Sequence, residues 1–330
     1  MAFKDIAGNS RVKKIIKLAL ERRRVPNSML FCGPDGVGKR KTALVLAKAL
    51  NCLRKTEDSC DECDSCRAID KGNFPDVMDI VPTGEVVKID QIRFMKQIAY
   101  LRPMSGKKRF FIIQEADKLQ DEGSNALLKV LEEPPLFSHI VLITDKPALI
   151  LSTIKSRCRT LNFLPIATEE IEQALRGRGF EDEKAKITAL LVHGNLDQAL
   201  ILDWEAVQQK RQDAWALFRA LIAKDGSSAF LKKFAFSRRN LIKEDLEETL
   251  ELFSSFCRDM ILLKEGGEAK YLFNPDYERP IREGAKYLNI DQAFKLLGLI
   301  HFAVSSLNRN LNVSLLTSSL YSQMIGSFNV

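Results

Sequence analysis

The chain has 330 residues, enough for two or three domains rather than one core. It is 45% hydrophobic and 28% charged, the range of a soluble globular protein, and no apolar run approaches the ~18 residues of a membrane span. The formal net charge of +7 tolerates a polyanionic partner without requiring one. The first residues lack a charged-then-apolar secretory signal, so a cytoplasmic location is expected.

In chain order, residues 10–24 carry Val12, Ile15, Ile16, Leu18 and Leu20 at helical spacing. Residues 28–32 form a short apolar run ending at Gly33, as a buried strand does. Residues 39–50 are helical again, with Ala43, Leu46, Ala47 and Leu50 on one face. Further strands are predicted over 76–81, 110–113, 140–144 and 160–164. Helices are predicted between them near 89–101 and 121–133, the second stopped by Pro134-Pro135. Strands alternating with helices imply a mostly parallel sheet and an α/β domain over residues 1–164. After Pro165 the patterns are helical: short stretches over 169–176, 182–192 and 197–202 suggest a small domain, 165–203. Longer ones over 206–223, 241–263, 279–288, 291–307 and 313–325 suggest an all-helical domain, 204–330.

Gly33-Pro34-Asp35-Gly36-Val37-Gly38-Lys39-Arg40 fits the phosphate-loop pattern G-x-x-x-x-G-K-[ST] except at its last position. Gly33, Gly36 and Gly38 let backbone N–H groups converge on an anion at a helix N-terminus, and Lys39 is the candidate for the terminal phosphates. The final hydroxyl, which normally ligates Mg²⁺, is replaced by Arg40, a fixed cation without an acceptor atom. A guanidinium beside the metal costs several kcal/mol at an effective dielectric of ~20; the alternative is a swing to solvent. Thr42 lies on another helix face and does not obviously replace the lost ligand. The second metal-holding position, an acid at the end of the strand 110–113, is Gln114, a weak neutral ligand, while Glu115 remains to orient a water. Two departures that both remove metal affinity point to a loop that binds ATP weakly or not at all and does not hydrolyse it.

Seven cysteines without a secretory signal argue against a disulfide framework. Cys52, Cys60, Cys63 and Cys66 fall in a short loop between helix and strand, and four soft ligands at this spacing suit a structural tetrahedral Zn²⁺. An iron–sulfur cluster and reduced thiols are the alternatives. The loop also carries Glu57, Asp58, Asp61, Glu62 and Asp64, so it is not a nucleic-acid-reading ribbon. Cys32, Cys158 and Cys257 sit among apolar residues and are expected to be buried. The basic runs 22–24 and 107–109 read as solvated faces or as contacts to a phosphate backbone. His139, His193 and His301 show no partners that suggest chemistry.

Several motifs together resemble the bacterial DNA polymerase III clamp-loader subunits of the AAA+ class. They are Val25-Pro26-Asn27-Ser28-Met29-Leu30-Phe31, Gln114-Glu115-Ala116-Asp117-Lys118-Leu119, the run 125–135 (NALLKVLEEPP) and Ser156-Arg157-Cys158. The resemblance continues at Arg258-Asp259 and 308–311. It implies an AAA+ P-loop domain with a zinc-binding insertion near 52–66, a helical lid and a helical collar that mediates oligomerisation. Some subunits of this family are ATP-hydrolysing motors and others are not, and the degraded loop resembles the second kind. Asp197 stands where the motors carry a nucleotide-sensing Arg and is expected to repel a triphosphate. The resemblance gives Arg157 the role of an arginine finger, directed into a neighbouring subunit's ATP site. It implies motor (gamma/tau) and delta subunits, the sliding clamp and primer-template DNA as partners. An active gamma-type motor subunit is the alternative, and a stand-alone zinc-bearing DNA-binding protein a weaker one.

Overall fold

The computed structural model describes residues 1–54, 57–223, 228–234, 242–307 and 312–327. It divides into two compact units, Met1–Ile201 and Leu202–Val330. The motif at 308–311 lies outside the described residues.

In the first unit, α1 (Ser10–Glu21) leads to β1 (Ser28–Cys32), α2 (Lys39–Asn51), α3 (Asp64–Asp70) and β2 (Val77–Ile80). There follow α4 (Ile89–Ala99), β3 (Arg109–Ile113), α5 (Asp121–Glu132), β4 (Ser138–Thr144), α6 (Ser152–Lys155) and β5 (Arg159–Asn162). The unit closes with α7 (Thr168–Arg176), α8 (Asp182–Leu191) and α9 (Leu196–Ile201). The five strands form one parallel sheet in the order β2-β3-β4-β1-β5. β1, β3 and β4 are buried at every residue, as expected of central parallel strands covered on both faces. At the edge, only Leu161 of β5 is buried.

The first helix stops at Glu21, three residues short of the sequence expectation. Arg23 takes a left-handed backbone (φ 52°), and the Arg23 and Arg24 N–H groups bond back to Leu20 and Ala19. These bonds cap the last turn, and Pro26 biases the chain toward extension. The cysteine segment is not all loop: α3 begins at Asp64, so Cys66 is a helical residue.

The second unit is helical: α10 (Trp204–Ile222), α11 (Ser228–Phe234), α12 (Ile242–Lys264), α13 (Glu278–Gly284), α14 (Ile290–Leu307) and α15 (Val313–Ser327). The periodicity did not reveal α11, seven residues long. Phe218, Phe230, Phe253 and Phe256 form the aromatic centre of its core. Arg211 is fully buried on α10, yet paired: it donates to both carboxylate oxygens of Asp276 (2.7 and 2.8 Å) and to Asn274 (3.0 Å). Arg258 lies over the Phe273 ring and pairs with buried Asp259.

Candidate functional site: a glycine loop, an exposed arginine and a thiol cluster

β1 ends directly in the glycine loop and α2 begins at Lys39, so the strand–loop–helix order needed to cradle an anion is present. Two glycines are required by contact. A Cβ at Gly33 falls 2.3 Å from the Phe163 carbonyl oxygen, and one at Gly36 falls 1.5 Å from Asn195 Oδ1. Asn195, just before α9, therefore lies against the loop itself. Lys39 is buried, and its ammonium turns back onto the loop, donating to the carbonyls of Gly33 and Pro34 (2.6 Å to the latter) with Asp35 at 3.4 Å. A cavity of about 430 Å³ beside the loop is lined by Gly33, Pro34 and two carboxylates, Asp35 and Asp145, whose charge opposes a phosphate.

Arg40 does not swing free. Its Nε donates to Asp79 Oδ2 at 2.7 Å, and Gln114 Nε2 donates to Asp79 Oδ1 at 2.7 Å. Both substituted positions thus converge on one acid of β2, each on its own oxygen. Arg40 thus brings a cation, not an oxygen ligand, to the last position of the loop. Thr42 is buried and spends its hydroxyl on the Gly38 carbonyl at 2.8 Å. Glu115, with φ 46°, is exposed and paired with Lys118 at 2.6 Å, and that hydrogen bond pushes the Lys118 ammonium pKa up. Asp197 is not an unopposed charge above the loop: it pairs with Lys41 of α2. In this arrangement the basic side chains at 39, 40 and 41 each face a protein oxygen.

Arg157 follows α6 and precedes the edge strand β5. Its Nε donates to Glu132 Oε1 (2.8 Å), Nη2 donates to the same oxygen, and Nη1 donates to the Thr153 carbonyl (2.8 Å). A third of the side chain (33%) remains exposed. The basic run 107–109 is less available. Arg109 is buried on Asp76 (2.8 Å), Lys107 donates to the Cys52 carbonyl and Lys108 to that of Leu136. Asp76 also accepts from the N–H groups of Met104, Ser105 and Gly106, and these bonds, with Arg109, outweigh burial and hold its carboxyl below the usual carboxylate range. This fixes the loop before β3.

The four sulfurs of Cys52, Cys60, Cys63 and Cys66 all lie within 4.8 Å of one another. A tetrahedral site with Zn–S near 2.3 Å needs sulfurs roughly 3.8 Å apart, so the donor set fits after a small contraction. Cys52, Cys63 and Cys66 are buried. Hydrogen bonding from the Glu62 N–H draws the Cys60 thiol down to about 6, while burial pushes Cys66 up to about 12. The cluster is tied to α2 by Lys48, fully buried, which reaches Asp61 (2.5 Å) and Asp70 (2.6 Å) and donates to the Met1 carbonyl (2.9 Å). Of the remaining cysteines, Cys32 and Cys257 are buried as expected, and Cys158 is half-buried. His139 is buried with Nδ1 3.1 Å from the Pro26 carbonyl, and His301 Nε2 is 3.1 Å from Ser254 Oγ.

A family model described as "DNA polymerase III, delta subunit" matches residues 8–167. The DNA polymerase III subunit delta' of Bacillus subtilis is 28% identical over 303 residues, covering 92% of each chain. DNA polymerase III subunit tau of the same organism is 31% identical over 292 residues, covering 79% of this chain and 50% of its own. Among solved structures, a DNA polymerase III gamma-subunit-related protein from Thermotoga maritima aligns with a TM-score of 0.45 at 18% identity, over 96% of this chain and 99% of that one. The chain is thus similar along most of its length to a delta' subunit of DNA polymerase III, and over a large part of it to a tau subunit.

Sequence reasoning missed Asp79, Glu132, Asn195, Lys41 and Lys48 as members of these sites. Asp79 offered one signal, an acid inside a strand of the sheet. The others are ordinary helix or loop residues until the chain folds.

Proposed function

We propose that the chain is the stationary, non-hydrolysing delta-prime-type subunit of the sliding-clamp loader, and that it lends Arg157 to the ATP site of a neighbouring motor subunit. The observation that carries this reading is the convergence of Arg40 and Gln114 on Asp79. At the two positions where the sequence pattern calls for Mg²⁺ ligands it leaves side chains bonded to an internal carboxylate, which favours this reading over an active gamma-type motor. Lys39, turned onto its own loop, and the two carboxylates of the adjoining cavity support it further.

The strand register supports action in trans. Arg159 is level with Met29 and Asn162 with Cys32, so Arg157 lies at the opposite end of β5 from the glycine loop. The four strand residues Arg159–Asn162 separate it from the level of that loop, about 13 Å at ~3.3 Å per residue. An arginine side chain does not span that distance, whereas a planar guanidinium exposed at a sheet edge suits a triphosphate presented by another subunit. Such fingers contribute ~10³–10⁵ in rate to phosphoryl transfer.

The partners in this reading are the motor (gamma/tau) and delta subunits, the clamp and primed DNA, in the cytoplasm. Residues 165–203 would act as the lid and 204–330 as the collar through which the ring assembles. Cys52, Cys60, Cys63 and Cys66 would hold a structural Zn²⁺. The test is Arg157→Ala in a loader reconstituted with motor and delta subunits. Assembly should survive while DNA- and clamp-stimulated ATP hydrolysis falls at least tenfold; an unchanged rate refutes the role.

A further inference from the structure

We infer that Glu132 is the positioning residue for Arg157: it grips one edge of the guanidinium and leaves the other edge set for a phosphate. This rests on the reading of Arg157 as a trans-acting group. The guanidinium has five N–H donors in a rigid fork. Glu132 Oε1 takes those of Nε and Nη2, and the Thr153 carbonyl takes one from Nη1 at 2.8 Å. One Nη2 donor is left, together with an Nη1 donor engaged only by a long 3.3 Å contact to the Ser156 hydroxyl. One donor on each terminal nitrogen is the complement for bidentate engagement of phosphate oxygens.

Glu132 is placed to do this by rigid structure. It is the last residue of α5, whose Leu127, Val130 and Leu131 are buried, and the helix is stopped there by Pro134-Pro135. An acid at that terminus meets the negative end of the helix dipole and is locally disfavoured. Arg157 supplies the compensating cation. A residue that breaks a local preference and finds its compensation in one distant side chain is the pattern expected at a functional constellation. The pair joins the two sequence motifs 125–135 and 156–158, which sequence alone leaves unconnected.

The experiment is a double-mutant cycle in the reconstituted loader with the full-length chain, reading kcat and KM for ATP separately. Glu132→Ala should lower kcat on the order of 10-fold through misorientation, with KM changed less than about twofold. Glu132→Gln, whose amide oxygen still accepts, should restore most of the rate. In an Arg157→Ala background, Glu132→Ala should add nothing, because its effect passes through the guanidinium. Normal kcat for Glu132→Ala with a deficient Arg157→Ala overturns the positioning role and leaves the finger standing. A double variant slower than Arg157→Ala also overturns it, since Glu132 then acts on folding or assembly. Full activity of Arg157→Ala fails the underlying reading and this inference with it.

Discussion

At the scale of single residues, Asp79 changes the meaning of two substitutions. Arg40 and Gln114 read along the chain as independent losses of metal ligands. In the fold they are two donors to one carboxylate, so a change at either alters the other's environment. His139 shows a different residue-scale consequence. Burial draws its imidazole pKa down from 6.5 to about 4, and Nδ1 faces the Pro26 carbonyl. Because the folded value lies below the unfolded one, the unfolded chain binds more protons between them. The stabilisation is complete above pH ~6.5 and is lost as pH falls toward ~4. Thermal melts across that window should show the decline, and His139→Asn should flatten it; an identical slope in the variant assigns the acid sensitivity elsewhere.

At the scale of elements, the thiol cluster is the clearest case of a module that local chemistry specifies and packing completes. Spacing alone singled out the four cysteines whose sulfurs the fold brings together. It did not show that Cys66 rides on α3, nor that buried Lys48 draws Asp61 and Asp70 back onto α2. Closed four-thiolate sites contribute their binding free energy to folding. Purified protein should therefore contain close to one zinc per chain by elemental analysis. A strong chelator should lower the melting temperature by several degrees, and Cys63→Ser should do so without the chelator. Zinc well below stoichiometry, with no response to chelation, excludes the structural role. The element-scale errors have local causes. Arg23 accepts a left-handed cap normally given to glycine, and α11 is too short for its periodicity to declare itself.

At the scale of the whole molecule, the degraded glycine loop and Arg157 are separated in space. The glycine loop lies beyond the C-terminal end of β1, while Arg157 lies before the N-terminal end of its parallel neighbour β5. The isolated chain should release phosphate from Mg²⁺–ATP at no more than background, and adding primed DNA or the clamp alone should not change that. Robust Mg²⁺-dependent turnover by the single chain overturns the assignment in favour of a motor subunit. The sequence by itself determined the strand–loop–helix unit, the parallel sheet, the departures at Arg40 and Gln114 and the four-cysteine set, because these depend on residue type at short spacing. Tertiary structure alone decided which oxygens the charges at 39, 40, 41 and 157 would meet. Those partners, Asp79, Asp197 and Glu132 among them, lie up to 156 residues away along the chain, and only strand order and helix packing bring them into reach.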